Sequence, residues 1–323
     1  MLERQAAIAR MNDLGRKKTP FFFFTDFLGT KAFVKPLTEL PNDVEFAFGS
    51  EQSNHKDNHR PFSFQKYPIS FQEFLPAFNY VVNQINIGNS YLVNLTFETP
   101  IETNLSIEEI YQMVTAKYKM RFQDHFVLFS PETFIQIKEN NIYSYPMKGT
   151  IDATIPYAEK IILTDPKETA EHVTIVDLIR NDLSQIAQKV TVPKFRFISK
   201  IITHEKSLLQ VSSEIAGELS ENWQNQLGDI LFKLLPAGSI SGAPKKETIR
   251  IITEAENYDR NFYTGVCGVF DGESLDSGVM IRFIENKNGS LVYKSGGGTT
   301  SFSKAESEYQ EIIDKVYIPV SLS

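Results

Sequence analysis

Residues 126–150 read FVLFSPETFIQIKENNIYSYPMKGT, and this stretch decides the class of fold. Apolar residues fill 126–129 and then alternate with polar ones from Thr133 to Lys138 and from Asn141 to Tyr145, the pattern of strands with one face turned inward. Glu139-Asn140-Asn141 supplies a turn. The segment therefore reads as a hairpin, with Glu132 on the strand that pairs with the one ending at Lys148.

The same signals extend in both directions. Upstream, residues 21–26, 32–37, 44–49 and 62–69 are short aromatic or β-branched runs separated by Gly, Pro, Asn or Asp, which suits an antiparallel sheet. Ser70 with Glu73, and Ser106 with Glu109, have capping-box spacing and predict helix starts on either side of a strand over 91–101. Downstream, the apolar period predicts a helix over 167–187, followed by strands over 191–219 and a helix over 222–235. Pro244 opens a further helix. Residues 263–270, 277–285 and 290–294 read as a meander, then Gly296-Gly297-Gly298 leads to a last helix from about residue 304. With no repeat and no long linker, the expectation is an α+β chain, residues 1–323 forming one interlocked domain with large antiparallel sheets.

Composition excludes several classes. Of 323 residues, 41% are hydrophobic and 23% charged, which rules out a disordered or collagen-like chain. Lys and Arg number 33 against 40 Asp and Glu, a formal charge of −7, and no basic block is long enough to track a phosphate backbone, so nucleic acid is not an expected partner. No run approaches the ~18 apolar residues of a membrane span, and the first residues lack a signal-peptide core. Cys267, the one cysteine, can form neither an internal disulfide nor a Cys-x-x-Cys site, so a cytoplasmic setting is expected.

Two acidic pairs carry the first chemical hint. Glu168 with Glu171, and Glu308 with Glu311, each sit three apart on a predicted helix, so the carboxylates of a pair project from nearly one face. Either pair alone reads as a solvated helix face. Facing one another, the two would form an all-oxygen site suited to Mg²⁺. Gly296 to Gly298 can be an anion nest or a plain turn, and the small-residue loop from Pro236 to Lys245 runs into a helix N-terminus, where free N–H groups favour anions. Lys148 beside Gly149 could be a nucleophile if its amine were neutral.

Together these segments resemble the chorismate-utilising enzymes, the family of anthranilate, aminodeoxychorismate, isochorismate and salicylate synthases. The resemblance runs from about Asn89 to Val316 and rests on KETAEHVTIVDLIRNDLSQIA, PAGSISGAPKKETIRIITEAE, YTGVCGVFDG, IRF, KSGGG and AESEYQEIIDKV, in the family's order. It implies two large stacked antiparallel sheets with helices outside and a cleft between them. Pro146-Met147-Lys148-Gly149-Thr150 is similar to the Pro-Ile-Lys-Gly-Thr of aminodeoxychorismate synthase component I, where anthranilate synthases carry alanine in place of the lysine.

Roles follow from the resemblance. Glu171 and Glu311 are expected to bind Mg²⁺, with Glu168 and Glu308 holding its waters, and the metal to anchor the ring carboxylate of chorismate. Tyr263, Arg282 and the backbone of Gly296, Gly297 and Gly298 are expected around the enolpyruvyl carboxylate, with Ser239, Lys245, Gln210 and Thr150 completing the substrate contacts. Lys148 would be the nucleophile and Glu132, in Ser130-Pro131-Glu132, the acid. Gln210 stands where anthranilate synthases have histidine, and glutamine can hydrogen-bond there but not move a proton. The implied reaction converts chorismate and ammonia to 4-amino-4-deoxychorismate, for para-aminobenzoate and folate synthesis. Ammonia would come from a separate glutamine amidotransferase, because the chain has no Cys–His pair for that chemistry. Anthranilate or isochorismate formation, and an inactive chorismate-binding regulatory subunit, are the other readings.

Overall fold

The run Phe21-Phe22-Phe23-Phe24 needs two apolar surroundings, because neighbouring side chains on a strand point to opposite faces. The computed structural model, which describes residues 1–49, 62–202 and 207–319, provides both. Phe21 and Phe23 join a core with Met11, Leu14, Trp223 and Leu227, while Phe22 and Phe24 pack with Phe126, Phe283 and Met120. Strand Phe21–Thr25 is buried at every position as a result. The sheet that contains it is covered by helix Arg4–Arg16 on one side and by a second sheet on the other.

Among the described residues the first sheet has ten strands. Its order is Leu2–Glu3, Lys31–Pro36, Phe21–Thr25, Val266–Phe270, Leu275–Val279, Thr133–Lys138, Asn141–Ser144, Ser207–Glu218 and Met147–Asp152, and Gln188–Ile202 also pairs with Ser207–Glu218. The second has eight, in the order Gly242–Ala243, Leu92–Thr103, Ser290–Thr299, Phe283–Lys287, Phe126–Ser130, Tyr118–Phe122 and Val44–Phe48, with Phe64–Lys66 also on Leu92–Thr103. Every pairing is antiparallel, as the alternating pattern and close turns require. The architecture is the expected α+β one, two stacked antiparallel sheets flanked by helices. Of the predicted strand region 191–219, residues 203–206 lie outside the described part.

The helices that position the site start where their caps say. Ser70 and Ser106 make complete capping boxes with Glu73 and Glu109. Helix Phe71–Asn86 buries Phe74, Phe78, Val81 and Ile85, one stripe at helical spacing. Helix Pro166–Leu183 is capped by Asp165, whose Oδ1 accepts the Glu168 N–H at 2.8 Å. Helix Ala305–Asp314 follows the last strand. No helix among the described residues is long and apolar enough to cross a membrane.

Three expectations are corrected. The predicted hairpin forms about its turn at Glu139-Asn140, where Thr133–Lys138 pairs with Asn141–Ser144, but the start of the segment lies elsewhere: Phe126–Ser130 is in the second sheet and Thr133–Lys138 in the first, so Pro131-Glu132 is a crossover rather than part of a strand. Lys148 does not end a strand paired with that of Glu132; it lies at the start of Met147–Asp152, which pairs with Ser207–Glu218. The meander is likewise broken, because the chain leaves the first sheet after Val279 and joins the second at Phe283. Both crossovers meet, tied by the Val279 N–H donating to the Glu132 carbonyl at 3.0 Å. Between them the backbone is released from ladder pairing, and Glu132 and Arg282 sit at those two points.

Candidate active site

The glycine triplet is a strand segment and not a loop. Gly296, Gly297 and Gly298 lie within Ser290–Thr299, opposite Thr96, Leu95 and Asn94. Pairing of this strand with Phe283–Lys287 stops at Lys294, so beyond that point it has, among the described residues, a strand partner on one side only. The Thr96 N–H and the Asn94 carbonyl turn away from the glycines, to Glu256 Oε1 at 2.9 Å and to Arg260 Nη2 at 2.5 Å. In an antiparallel ladder this alternation makes Gly296 and Gly298 the residues whose backbone groups face the open edge. The Gly296 carbonyl is met there by Lys315 Nζ at 2.7 Å.

Small residues let the acidic helices close on this edge. A Cβ on Gly297 would lie 3.3 Å from Glu308 Oε2 and 3.3 Å from Glu311 Oε1. One on Gly298 would lie 3.3 Å from Lys148 Nζ, and one on Gly149 would lie 2.9 Å from Glu168 Oε2. Gly149 also has φ of +82°, at a bulge that turns the strand just after Lys148. The two predicted acidic pairs therefore approach the same edge, Glu168 and Glu308 from the first turns of their helices, where the dipole favours negative charge, and Glu171 and Glu311 from the second. Glu171 and Glu308 are buried.

Lysines lie among these carboxylates. Lys148 Nζ is 2.7 Å from Glu171 Oε2, and Lys315 Nζ is 2.5 Å from Glu311 Oε1. The expectation of a neutral Lys148 amine is not met in the protein alone. Burial opposes its charge, but Glu171, then Glu311 and Glu168, hold its pKa above the ordinary lysine value. Lys315 moves the other way, lowered chiefly by burial. Among the described residues no three carboxylate, imidazole or thiolate side chains form a ready-made metal cage. The donor set still fits Mg²⁺, which takes one or two carboxylates and completes its shell with water and substrate oxygens.

A second group gathers at the sheet crossovers. Ser239, in the short helix Gly238–Ser241, donates its hydroxyl to Glu132 Oε1. Burial raises the Glu132 pKa, against the opposing pull of Ser239, Arg282, Lys315 and Lys148. That direction suits an acid. Arg282 has φ of +53°, its Cζ lies 5.7 Å from the Tyr317 ring centre, and its Nε is buried without a hydrogen-bond partner among the described residues. Tyr263 is buried beside it against Phe283, and its pKa is driven up by burial. An open depression of about 590 Å³ lies over Arg282, Glu311, Lys315 and Tyr317.

Three further predicted contacts have protein neighbours of their own. Lys245, expected against substrate, has its ammonium on Asp182 Oδ2 at 2.8 Å and on the Leu234 carbonyl at 2.7 Å. Thr150 and Gln210 are direct partners across adjacent strands, beyond the Gly149 bulge, with Thr150 exposed. Sequence reasoning missed Lys315, although its place four residues after Glu311 is the spacing of a helical ion pair. It also missed His172, buried with Nε2 2.7 Å from Ser213 Oγ and lowered to about 4 by burial and by Arg196, so it is neutral at physiological pH.

Comparison with known proteins gives consistent relatives. The sequence pattern of the chorismate binding enzymes matches residues 26–321. The chain is 50% identical over 319 residues to an uncharacterised PabA-like protein of Pasteurella multocida, covering 98% of each. It is 31% identical over 261 residues to aminodeoxychorismate synthase component 1 of Salmonella typhimurium, covering 76% of this chain and 56% of that one. The crystal structure of anthranilate synthase component I from Streptococcus pneumoniae superposes with a TM-score of 0.65 at 25% identity, over 80% of this chain and 59% of that one.

Proposed function

The chain belongs to the chorismate binding enzymes, and we propose that within that family it is an aminodeoxychorismate synthase component I, joining ammonia to chorismate. One observation carries this reading: a lysine amine, Lys148 Nζ, stands among the carboxylates at 2.7 Å from Glu171, with the Gly298 backbone beside it. In anthranilate synthases the corresponding residue has no amine.

In this reading Arg282, Tyr263 and the outward N–H groups of Gly296 and Gly298 hold the enolpyruvyl carboxylate; Arg282 offers an unpaired buried Nε for it. Glu171 and Glu311 would hold Mg²⁺ and Glu168 and Glu308 its waters. Bound there, the ion would neutralise the carboxylates and give the ring carboxylate of chorismate a cation to bind. Lys148, once its proton has passed to solvent, forms a bond from Nζ to C2 of chorismate as both conjugated ring double bonds shift, C1=C2 to C1=C6 and C5=C6 to C4=C5, and the C4–O bond breaks. Glu132 gives its proton to the departing hydroxyl, which leaves as water. Ammonia then bonds to C4 and gives up a proton to solvent, both double bonds return, and the Nζ–C2 bond breaks to release the lysine.

Ammonia would be supplied by a separate glutamine amidotransferase. Cys267 is buried in strand Val266–Phe270 with its thiol pKa driven up by burial, the opposite of what a glutaminase nucleophile needs. The test is to incubate the protein with chorismate, Mg²⁺ and ammonium and identify the product by mass and fluorescence. Aminodeoxychorismate is expected. Anthranilate formed without an added lyase would refute the assignment, and tight Mg²⁺-dependent chorismate binding with no turnover would favour a binding subunit.

A further inference from the structure

Residues 235–244 carry Ser239 to Glu132. Beyond Ser239 the segment is anchored, with Ile240 buried, its carbonyl taking Arg260 Nη1 at 3.0 Å, and Gly242–Ala243 paired with strand Leu92–Thr103. Its two ends also meet at one point. Lys245 Nζ donates to the Leu234 carbonyl at 2.7 Å and pairs with Asp182 Oδ2 at 2.8 Å. The same Asp182 oxygen would lie 2.9 Å from a Cβ on Gly238, so the carboxylate presses on the backbone immediately before Ser239. A cavity of about 20 Å³ lined by Glu132, Ser239 and Asp182 leaves space for roughly one water and nothing larger.

Asp182 also belongs to the acidic helix. It follows Glu171 by 11 residues on Pro166–Leu183, which is three turns and nearly the same face. A shift of this helix moves Glu171 and Asp182 together. The Asp182–Lys245 pair is a poor stability device, because charges at 9% and 20% side-chain exposure give back in desolvation much of what they gain in attraction. We infer that Asp182, through Lys245 and Gly238, is a positioning residue that clamps the Ser239 loop so that the Ser239 hydroxyl stays on Glu132. The inference rests on the reading of Glu132 as the acid.

The experiment compares wild type with Asp182→Asn, Ser239→Ala and the double variant, following chorismate consumption whatever the product. A misplaced acid costs kcat, so Asp182→Asn is expected to lower kcat about 10- to 100-fold with KM within about threefold. The double variant should be no slower than the slower single one, because both changes remove the same hydrogen bond. Losses that multiply, or a loss confined to KM, overturn the clamp. Asp182→Glu, which retains the ion pair, covers poor folding of the Asn variant and is expected to show a smaller loss in kcat alone. A readout without turnover uses ¹³C-carboxyl glutamate, the Glu132 signal being assigned by its loss in Glu132→Gln. Asp182→Asn should move that signal as Ser239→Ala does, and an unmoved signal overturns the inference even if the wild type makes no aminodeoxychorismate, an outcome that would refute only the proposed function.

Discussion

Lys148 Nζ and Glu171 Oε2 are 2.7 Å apart, a lysine at a strand start held by a buried carboxylate from the second turn of a helix. The contact defines a competition, since the carboxylate cannot fully satisfy both the ammonium and a divalent ion. The lysine is held charged while Glu171, Glu311 and Glu168 face it undiluted. Any cation that takes up those carboxylates weakens their hold on the proton.

The first prediction concerns that competition. Glu171→Gln or Glu311→Gln should lower turnover at millimolar Mg²⁺ by at least about 100-fold, because each removes a direct anionic ligand, where even outer partners are worth about 10- to 100-fold. The fold should survive with a lowered melting temperature, since relief of repulsion among the carboxylates is offset by taking the nearest carboxylate from Lys148 or Lys315. The check is an Mg²⁺ titration of turnover beside a thermal melt; near-normal activity without raised Mg²⁺ contradicts direct ligation.

Lys148→Ala should reduce aminodeoxychorismate formation to below about 1% of wild type at low ammonium. Raising ammonium should restore part of the rate by letting ammonia attack C4 directly. Wild type held with chorismate and no ammonia should carry added mass on the peptide containing Lys148. A wild-type rate in the alanine variant removes the nucleophile role.

Glu132 gives a prediction in pH. Its pKa is raised by burial, so the protonated form is the one the fold accommodates. The sign follows: stability tied to this group is present below the unfolded glutamate pKa and is lost as pH rises through the folded one. Glu132→Gln, which keeps the shape without the charge, should therefore melt at higher temperature than wild type at pH 8, with the difference shrinking toward pH 4. An equal difference at both values excludes a carboxyl raised in the fold. Activity should fall on the alkaline side as the acid ionises.

How much of this was legible depended on whether a feature was local. The capping boxes at Ser70 and Ser106 and the apolar stripe through Phe74, Phe78, Val81 and Ile85 are short-range patterns, and the helices appear where they predict. The split of the 126–150 segment between sheets is not local. Pro131-Glu132 looks like any turn, and only distant partners such as Val127 and Ile284 across one ladder or Gln136 and Asp276 across another decide which sheet each half joins. In the sequence Gly296 to Gly298 read as an anion nest or a plain turn, because glycine weakens a strand. The reason to place them in one, the approach of Glu308 and Glu311 to Gly297, lies in a tertiary contact. Both acidic pairs and Lys148 are visible in the sequence, but Lys315 on Glu311 is not, nor is Asp182 on the same helix face as Glu171.

The last prediction uses the glycines as rulers. Gly297 is not among the positive-φ glycines, so alanine suits its strand backbone, and by reducing the freedom of the unfolded chain the change tends to stabilise by about 0.4–1 kcal/mol. Against that, the new methyl would stand 3.3 Å from Glu308 Oε2 and Glu311 Oε1, a crowding of a few tenths of an ångström that either carboxylate can relieve by turning away. The two effects offset in stability, and the melting temperature of Gly297→Ala should stay close to that of wild type. Metal binding has no such compensation, because the carboxylates that turn away are those proposed to hold Mg²⁺ and its water; the Mg²⁺ concentration for half-maximal turnover should rise about tenfold. Gly289→Ala is the control. There φ is +94° with nothing within 4 Å of the added Cβ, so it should lose about 1 kcal/mol of stability and leave the Mg²⁺ requirement unchanged. If Gly297→Ala titrates with Mg²⁺ as wild type does, the ion does not sit between the helix of Glu308 and Glu311 and the glycine strand.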